Sequence, residues 1–271
     1  MEIALSITFL VIIVLVLAYL ILIAPGGRGD IDKYKKVKFA HRGLHGEGRA
    51  ENSMSAFRAA IDAGFGIELD IRLSKDGELV VYHDDGLDRV VGREGLVRDF
   101  TADELAQMKL SGTEDTIPRF SDVLALVDGK VPLLVEIKED AGDRTVSDAA
   151  ALALAQYNGD YIVESFNPLS LGNIKKKLPA ATRGILSHNY YAYEQYRKPL
   201  FFLLGALLFN RVCSPSFVAY DHHHARSVSL RAAREMGAVT FAWTVRSAEE
   251  EKLAYENGFD SVIFENYIPE K

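Results

Sequence analysis

The chain has 271 residues, 48% hydrophobic and 25% charged, with 31 Lys and Arg against 38 Asp and Glu for a net charge of −7. That length admits one large α/β domain or two small ones, and the acidic balance argues against a nucleic-acid binder, which wants a basic footprint. A single cysteine, Cys213, excludes an internal disulfide and a cysteine-built zinc site.

Residues 3–24 carry no charge. As a helix rising ~1.5 Å per residue they extend ~33 Å, enough to cross a bilayer core of ~30 Å. A cleaved signal peptide wants a basic leading segment, a shorter apolar run and a small-residue cleavage site. Here only Glu2 carries charge ahead of the run, and Pro25 follows Ala24. The reading is a single-pass anchor over 1–24, in contact with the lipid bilayer through 3–24. Arg28, Lys33, Lys35, Lys36 and Lys38 all follow the span. The positive-inside rule therefore predicts a cell-membrane protein with its N-terminus outside and its main domain on the cytoplasmic face. Pro25-Gly26-Gly27-Arg28-Gly29 begins a linker over 25–36.

From residue 37 onward strand and helix patterns alternate. Strands are expected near 37–40, 66–72, 132–138, 161–165, 182–186, 216–220, 239–245 and 261–264. Helices are expected at 52–63 behind an Asn52 cap and at 167–178, where Asn167 caps and Pro168 takes the first position. Two more run over 224–236, stopped by Gly237, and over 247–257, opened by Ser247 and Glu250 as a capping box. Eight strands alternating with helices is the count of a (β/α)8 TIM barrel, expected over 37–271. A doubly wound open sheet is the alternative. No Gly-x-Gly-x-x-Gly run or P-loop follows a strand, so no nucleotide cofactor is expected. The stretch after the second strand is too long for one βα unit. A further short strand at 78–83, a helix at 101–110 and another at 121–128 fill it, and 84–118 reads as a small insertion on the catalytic face.

Strand side chains alternate between faces. In 66–72 this puts Ile67, Leu69 and Ile71 on one face and Glu68, Asp70 and Arg72 on the other. Unpaired buried charge is too costly to persist, so a cation is expected over Glu68 and Asp70. In 132–138 the same alternation puts Glu136 and Lys138 together. Three carboxylates at the ends of barrel strands fit one hard divalent cation. Arg42 and Lys138 supply positive charge for an anionic group. His41 and His83 are two proton-transfer candidates. These are the parts of metal-assisted phosphodiester hydrolysis.

His41-Arg42-Gly43, Glu51-Asn52-Ser53, Glu68-Leu69-Asp70, Val81-Tyr82-His83-Asp84, Ile117-Pro118, Glu136-Ile137-Lys138 and Trp243-Thr244-Val245 follow one another in an order and spacing that resembles the glycerophosphodiester phosphodiesterases. The resemblance runs from about Lys38 to the C-terminus. It implies a TIM barrel with an insertion after strand 2, and hydrolysis of a glycerophosphodiester substrate to glycerol 3-phosphate and an alcohol. It implies one divalent metal ion, Ca²⁺ or Mg²⁺, with Mn²⁺ as a third choice, on Glu68, Asp70 and Glu136. It further implies His41 and His83 as the acid–base pair, Arg42 and Lys138 as the phosphate clamp, Glu51 as an additional group near the metal and Trp243 as a wall of the glycerol pocket. Two departures stand out. Ala50 replaces a usual proline, and Phe264-Glu265-Asn266 replaces a Thr-Asp-x-Pro pattern, so the last loop is expected to meet substrate differently. Two other readings stay open: a lysophospholipase D-like enzyme acting on membrane lipids, and a non-catalytic phosphodiester-binding domain.

Two segments lie outside this scheme. The ten-residue apolar run 200–209 is too short to span. A buried barrel helix is the preferred reading, and a segment dipping into the bilayer between Arg197, Lys198 and Arg211 is the alternative. Asp221-His222-His223-His224 invites a metal. Three adjacent histidines cannot all face one site on a regular element, so a loop and helix start is preferred.

Overall fold

A computed structural model describes residues 1–26 and 30–270. Residues 27–29 of the expected linker, among them Arg28, lie outside the described residues. Helix α1 spans Glu2–Ile23. Strand β1 (Lys38–Ala40) and helix α2 (Met54–Ala63) follow, then β2 (Gly66–Leu73) and β3 (Leu79–Val81). The insertion holds the short α3 (Ala102–Leu105) and leads into α4 (Phe120–Val127). Then come β4 (Leu133–Ile137), α5 (Thr145–Ala155), β5 (Tyr161–Ser165), α6 (Pro168–Lys177) and β6 (Arg183–Ser187). The chain continues through α7 (Pro199–Gly205), α8 (Asn210–Cys213), β7 (Phe217–Asp221), α9 (Val228–Glu235), β8 (Val239–Val245), α10 (Ala248–Glu256) and β9 (Ser261–Phe264).

Among the described residues β1, β2 and β4–β9 form a closed parallel barrel: β1 pairs with both β9 and β2. This is the TIM barrel, not the open sheet. β3 hangs antiparallel on the end of β2, as the short strand at 78–83 foresaw. The insertion has its own small core, in which Tyr82, Leu87, Val90, Leu105 and Ile117 are buried together. Helix α3 is shorter than expected. Its Thr101–Glu104 capping box is formed, but the chain turns away before Leu110.

The barrel interior has two levels. Toward the N-terminal ends of the strands, Phe217 and Phe39 both stack on Phe241, with centroids 4.6 and 5.7 Å from it. Gly184 makes room for this plug: a Cβ there would stand 2.1 Å from the Phe217 ring. Toward the C-terminal ends the interior turns acidic. Outward-facing Ile67, Leu69 and Ile71 pack under the helices instead, as alternation requires.

Local signals mostly held, with shifts of a residue or two. Helix α2 is capped by Ser53, whose hydroxyl accepts from the Ala56 N–H; Asn52 is used elsewhere. Ser247 caps α10, but the Glu250 carboxylate accepts from the Arg246 N–H rather than closing a box. The preferred reading of 200–209 as a buried helix is wrong for α7. Leu200 and Phe202 are each 55% exposed, because α7 lies over the loop after β6 rather than between barrel and solvent.

Candidate active site

The parallel register sets the acidic row. Asp70 pairs with Glu136 and Glu136 with Glu164, so three carboxyls of adjacent strands share one level of the interior. Glu68 stands one inward position earlier on β2. Ligand atoms of Glu68, Asp70 and Glu136 lie within 4.8 Å of one another, and all three residues are buried. The Arg42 N–H donates to Glu68 Oε2 at 2.7 Å. Arg42 holds φ at 55°, which turns its amide inward at the end of β1. Asn52 donates to Asp70 Oδ2 at 2.8 Å.

Positive charge surrounds this row. Lys138 Nζ sits 2.7 Å from Glu136 Oε1 and 3.1 Å from Asp70 Oδ1. Arg42 reaches Glu51 Oε1 at 2.8 Å and Asp70 Oδ2 at 3.5 Å. Burial pushes Asp70 up, but Lys138 and the other cationic groups outweigh it and hold it well below the ordinary range. In the remaining acids burial outweighs the cationic neighbours, Lys138 beside Glu136 included. Burial, then repulsion from its neighbours, raises Glu68 well above the usual value. Burial raises Glu136 to about 7. Buried Glu164 is raised in the same way, and its Oε2 lacks a hydrogen bond among the described residues. Four buried carboxyls thus face two cationic side chains. An all-oxygen donor set with uncompensated negative charge fits a hard divalent cation, and Glu68, Asp70 and Glu136 are the residues able to hold one.

The histidines flank the acids. His41 Nδ1 lies 2.7 Å from Glu265 Oε2, and its Nε2 lies 4.0 Å from Glu68 Oε2. Burial depresses the His41 imidazole, while the hydrogen bond from His41 holds Glu265 down at about 2. His83 Nδ1 lies 2.6 Å from Asp84 Oδ1, and burial pushes His83 down to about 4. Each imidazole thereby points a carboxylate-oriented Nδ1 outward and leaves Nε2 for the site. His41, Arg42, Glu68, His83, Glu136, Lys138 and Trp243 line one cavity of about 210 Å³. Phe166 closes its side, edge-on to Trp243 at 5.5 Å.

Glu51 stands back from the carboxylate row. Arg42 and Arg89 both bind it, Arg89 through two contacts of 2.6 and 3.0 Å. Burial opposes its ionisation, but Arg89 and Arg42 hold the carboxylate below its usual range. Arg72 does not pair with Glu68 or Asp70; its guanidinium binds the His83 carbonyl and Asp85.

Sequence reasoning missed Glu164, Phe166, Arg89 and the use of Glu265. Glu164 was findable: alternation along Tyr161–Ser165 points it inward beside Glu136. Glu265 was seen only as a departure from a pattern. The Asp221 segment forms a loop and helix start, as preferred, with Asp221 receiving His223 and His224 at 2.8 and 3.0 Å. Yet His222 and His223 do converge with Glu250 within 4.8 Å. A 3₁₀ turn brings neighbouring rings together where a regular helix or strand would not.

The profile of the glycerophosphoryl diester phosphodiesterase family matches residues 41–268. A glycerophosphodiester phosphodiesterase of Caldanaerobacter subterraneus subsp. tengcongensis is 30% identical over 246 residues, covering 84% of this chain and 93% of the relative. Among solved structures, a glycerophosphodiester phosphodiesterase of Thermotoga maritima superposes with a TM-score of 0.65 at 28% identity, over 84% of this chain and 94% of that one. A phosphodiesterase of Oleispira antarctica, solved with its product sn-glycerol-3-phosphate, gives a TM-score of 0.73 at 21% identity, over 88% and 95%.

Proposed function

The chain belongs to the glycerophosphoryl diester phosphodiesterase family and is an enzyme of that class, and we propose that it works with one divalent metal ion and two histidines. The reaction hydrolyses a glycerophosphodiester to glycerol 3-phosphate and an alcohol. The observation that carries this reading is the meeting of His41, His83, Arg42, Lys138, Glu68 and Glu136 around one small cavity, with buried Asp70 offering a ligand atom within 4.8 Å of those of the two glutamates. Glu68, Asp70 and Glu136 would hold the ion, Ca²⁺ or Mg²⁺ before Mn²⁺, and Glu51 acts one step back by fixing Arg42. When bound, the ion supplies Lewis-acid neutralisation of the phosphodiester charge.

Arg42 and Lys138 grip the phosphate and stabilise the charge that develops on it. Lys138 pairs with Asp70 and Glu136 here, and its ammonium would turn to the phosphate where those carboxylates hold an ion. One neutral imidazole takes the proton of the nucleophile at Nε2. The other protonates the departing alcohol oxygen. Its proton affinity rises once an anionic phosphate lies between it and the cavity wall. Trp243 and Phe166 exclude water beside the glycerol moiety. Replacing His41 or His83 by Ala should each lower kcat by about 10²–10⁴ with the thermal melt unchanged. Near-normal turnover in either variant removes that histidine from the mechanism.

We also propose that α1 anchors the enzyme in the cell membrane, with 25–36 as linker, 37–271 as catalytic domain and 84–118 as its insertion. Support comes from how α1 ends. Ile23 is fully buried against the barrel and its carbonyl accepts from buried Asn210 at 2.8 Å. A cleaved signal peptide would leave that amide without its acceptor. Lys33, Lys35, Lys36 and Lys38 favour a cytoplasmic domain. Protease added to intact spheroplasts should leave the domain whole, and its digestion from outside would reverse the orientation.

A further inference from the structure

The histidine run after β7 takes no part in the catalytic cavity, yet it contributes to a second group of converging side chains. Ligand atoms of His222, His223 and Glu250 lie within 4.8 Å of one another. The two histidines come from the 3₁₀ turn between β7 and α9, and Glu250 from the first turn of α10. Neither these three nor Asp221 are among the residues that line the catalytic cavity. His222 is 6% exposed, and its Nε2 has no hydrogen bond among the described residues. A buried polar nitrogen left in that state is costly. It is aimed at Glu250, with Nε2 3.5 Å from Glu250 Oε2. Two ligands each ~2.1 Å from one tetrahedral ion stand ~3.4 Å apart, so this pair already has the spacing of two donors to a single metal.

The other two donors are held in place from behind. His223 Nδ1 lies 2.8 Å from Asp221 Oδ1, and the His223 backbone N–H donates to the same oxygen at 3.0 Å. A carboxylate only accepts, so Nδ1 carries the hydrogen and Nε2 the lone pair. A carboxylate behind the ring is the outer partner that metal-bound imidazoles use. Glu250 is oriented as well, since its Oε2 accepts the Arg246 N–H at 2.7 Å. His224 lies outside the converging group, its Nδ1 bonded to the other oxygen of Asp221 at 3.0 Å. The donors differ in kind from the Glu68–Asp70–Glu136 row, which is all oxygen and suits a hard cation. Two imidazoles and one carboxylate suit Zn²⁺, which takes such a set with a fourth position left open. The carboxylates of Glu250 and Asp221 match the two charges of the ion. The group borders a cavity of about 1100 Å³, lined also by Tyr19, Tyr190 and Phe202, which provides an entry path.

We propose that His222, His223 and Glu250 form a second metal site that binds Zn²⁺, with water as the fourth ligand and Asp221 as the outer partner of His223. The ion ties the turn after β7 to the start of α10. It is separate from the hydrolytic centre and does not depend on how that centre works.

The test uses the full chain in detergent, free of any histidine tag, stripped with chelator and then kept in excess Mg²⁺ to occupy the all-oxygen row. Zn²⁺ uptake is measured by equilibrium dialysis and elemental analysis, and zinc-edge X-ray absorption reads the donors. Wild type and Glu68→Gln should each hold one Zn²⁺ with two imidazole nitrogens at ~2.0–2.1 Å. Asp221→Asn should weaken zinc binding by about 10–100-fold, and His223→Ala and Glu250→Gln by more. Glu250→Gln keeps an oxygen for the Arg246 N–H, and thermal melts without zinc check that each variant is folded. No zinc on the wild type overturns the proposal, and so does zinc in an all-oxygen shell that Glu68→Gln abolishes. Folded His223→Ala and Glu250→Gln that bind zinc as tightly as wild type overturn it too.

Discussion

At the scale of single residues, the site is a balance between burial and compensation. Glu68, Asp70, Glu136 and Glu164 are each at most 7% exposed, yet Lys138 and Arg42 bring two positive charges. A bound cation would relieve that deficit of positive charge. The sequence revealed most of these groups because alternation on two strands exposes them, and the histidines because each lies within two residues of a strand end. It could not reveal Glu265 as the partner of His41. The two are 224 residues apart, and only closure of the barrel between β1 and β9 brings them together. If Glu265 orients the imidazole, Glu265→Gln lowers kcat by about 10²-fold or more with KM little changed. A kcat within twofold of wild type would reduce the contact to packing. His83 provides a pH test. Its folded value near 4 lies below the 6.5 of a free imidazole. Between those values the unfolded chain binds a proton that the folded chain refuses, so stability falls as pH drops through that window. Its side chain is 31% exposed, which limits the effect to about 1–2 kcal/mol. Urea denaturation at pH 7 and pH 4.5 should show a smaller acid loss for His83→Asn than for wild type. Equal losses would contradict the burial-depressed imidazole.

At the scale of elements, strands were the most legible. Each of the eight barrel strands lies within a residue or two of where its apolar run placed it, since a run buried on both sides has few other uses. Helix ends were less so. Asn52 has the chemistry of a cap, but Asp70 needs its amide, and Ser53 caps α2 in its place. The apolar run at 200–209 was ambiguous for a physical reason: composition does not say which side of a segment the core lies on. In the fold, Leu200, Phe201 and Leu204 line a cavity beside the catalytic one, while Phe202 is largely exposed. The same ambiguity affects α1. Hydropathy marks a helix able to cross a bilayer. The Asn210–Ile23 and Tyr19–Ser229 hydrogen bonds tie its C-terminal turns to α8 and α9.

At the scale of the whole molecule, the barrel divides its labour along its axis. An aromatic plug of Phe39, Phe217 and Phe241 fills the N-terminal half. It carries the hydrophobic burial that can offset the desolvation of an acidic C-terminal half. The insertion and α7 border that acidic end rather than the plug, while the C-terminal end of α1 is held by Asn210 and Pro215 at the base of the barrel. Fold class and much of the acidic site could be read from order and spacing. The way the accessory parts gather around one mouth could not, because it depends on closure of the sheet. On the reading proposed above, this acidic mouth is that of a metal-dependent phosphodiester hydrolase. The most direct measurement is glycerol 3-phosphate release from glycerophosphocholine by the full chain, before chelation, after EDTA, and after adding back Ca²⁺, Mg²⁺ or Mn²⁺ singly. Turnover should fall by at least about 10²-fold in EDTA, return with at least one of the three ions, and stay absent in Glu68→Gln. Undiminished turnover in EDTA, or full activity of Glu68→Gln, would contradict it.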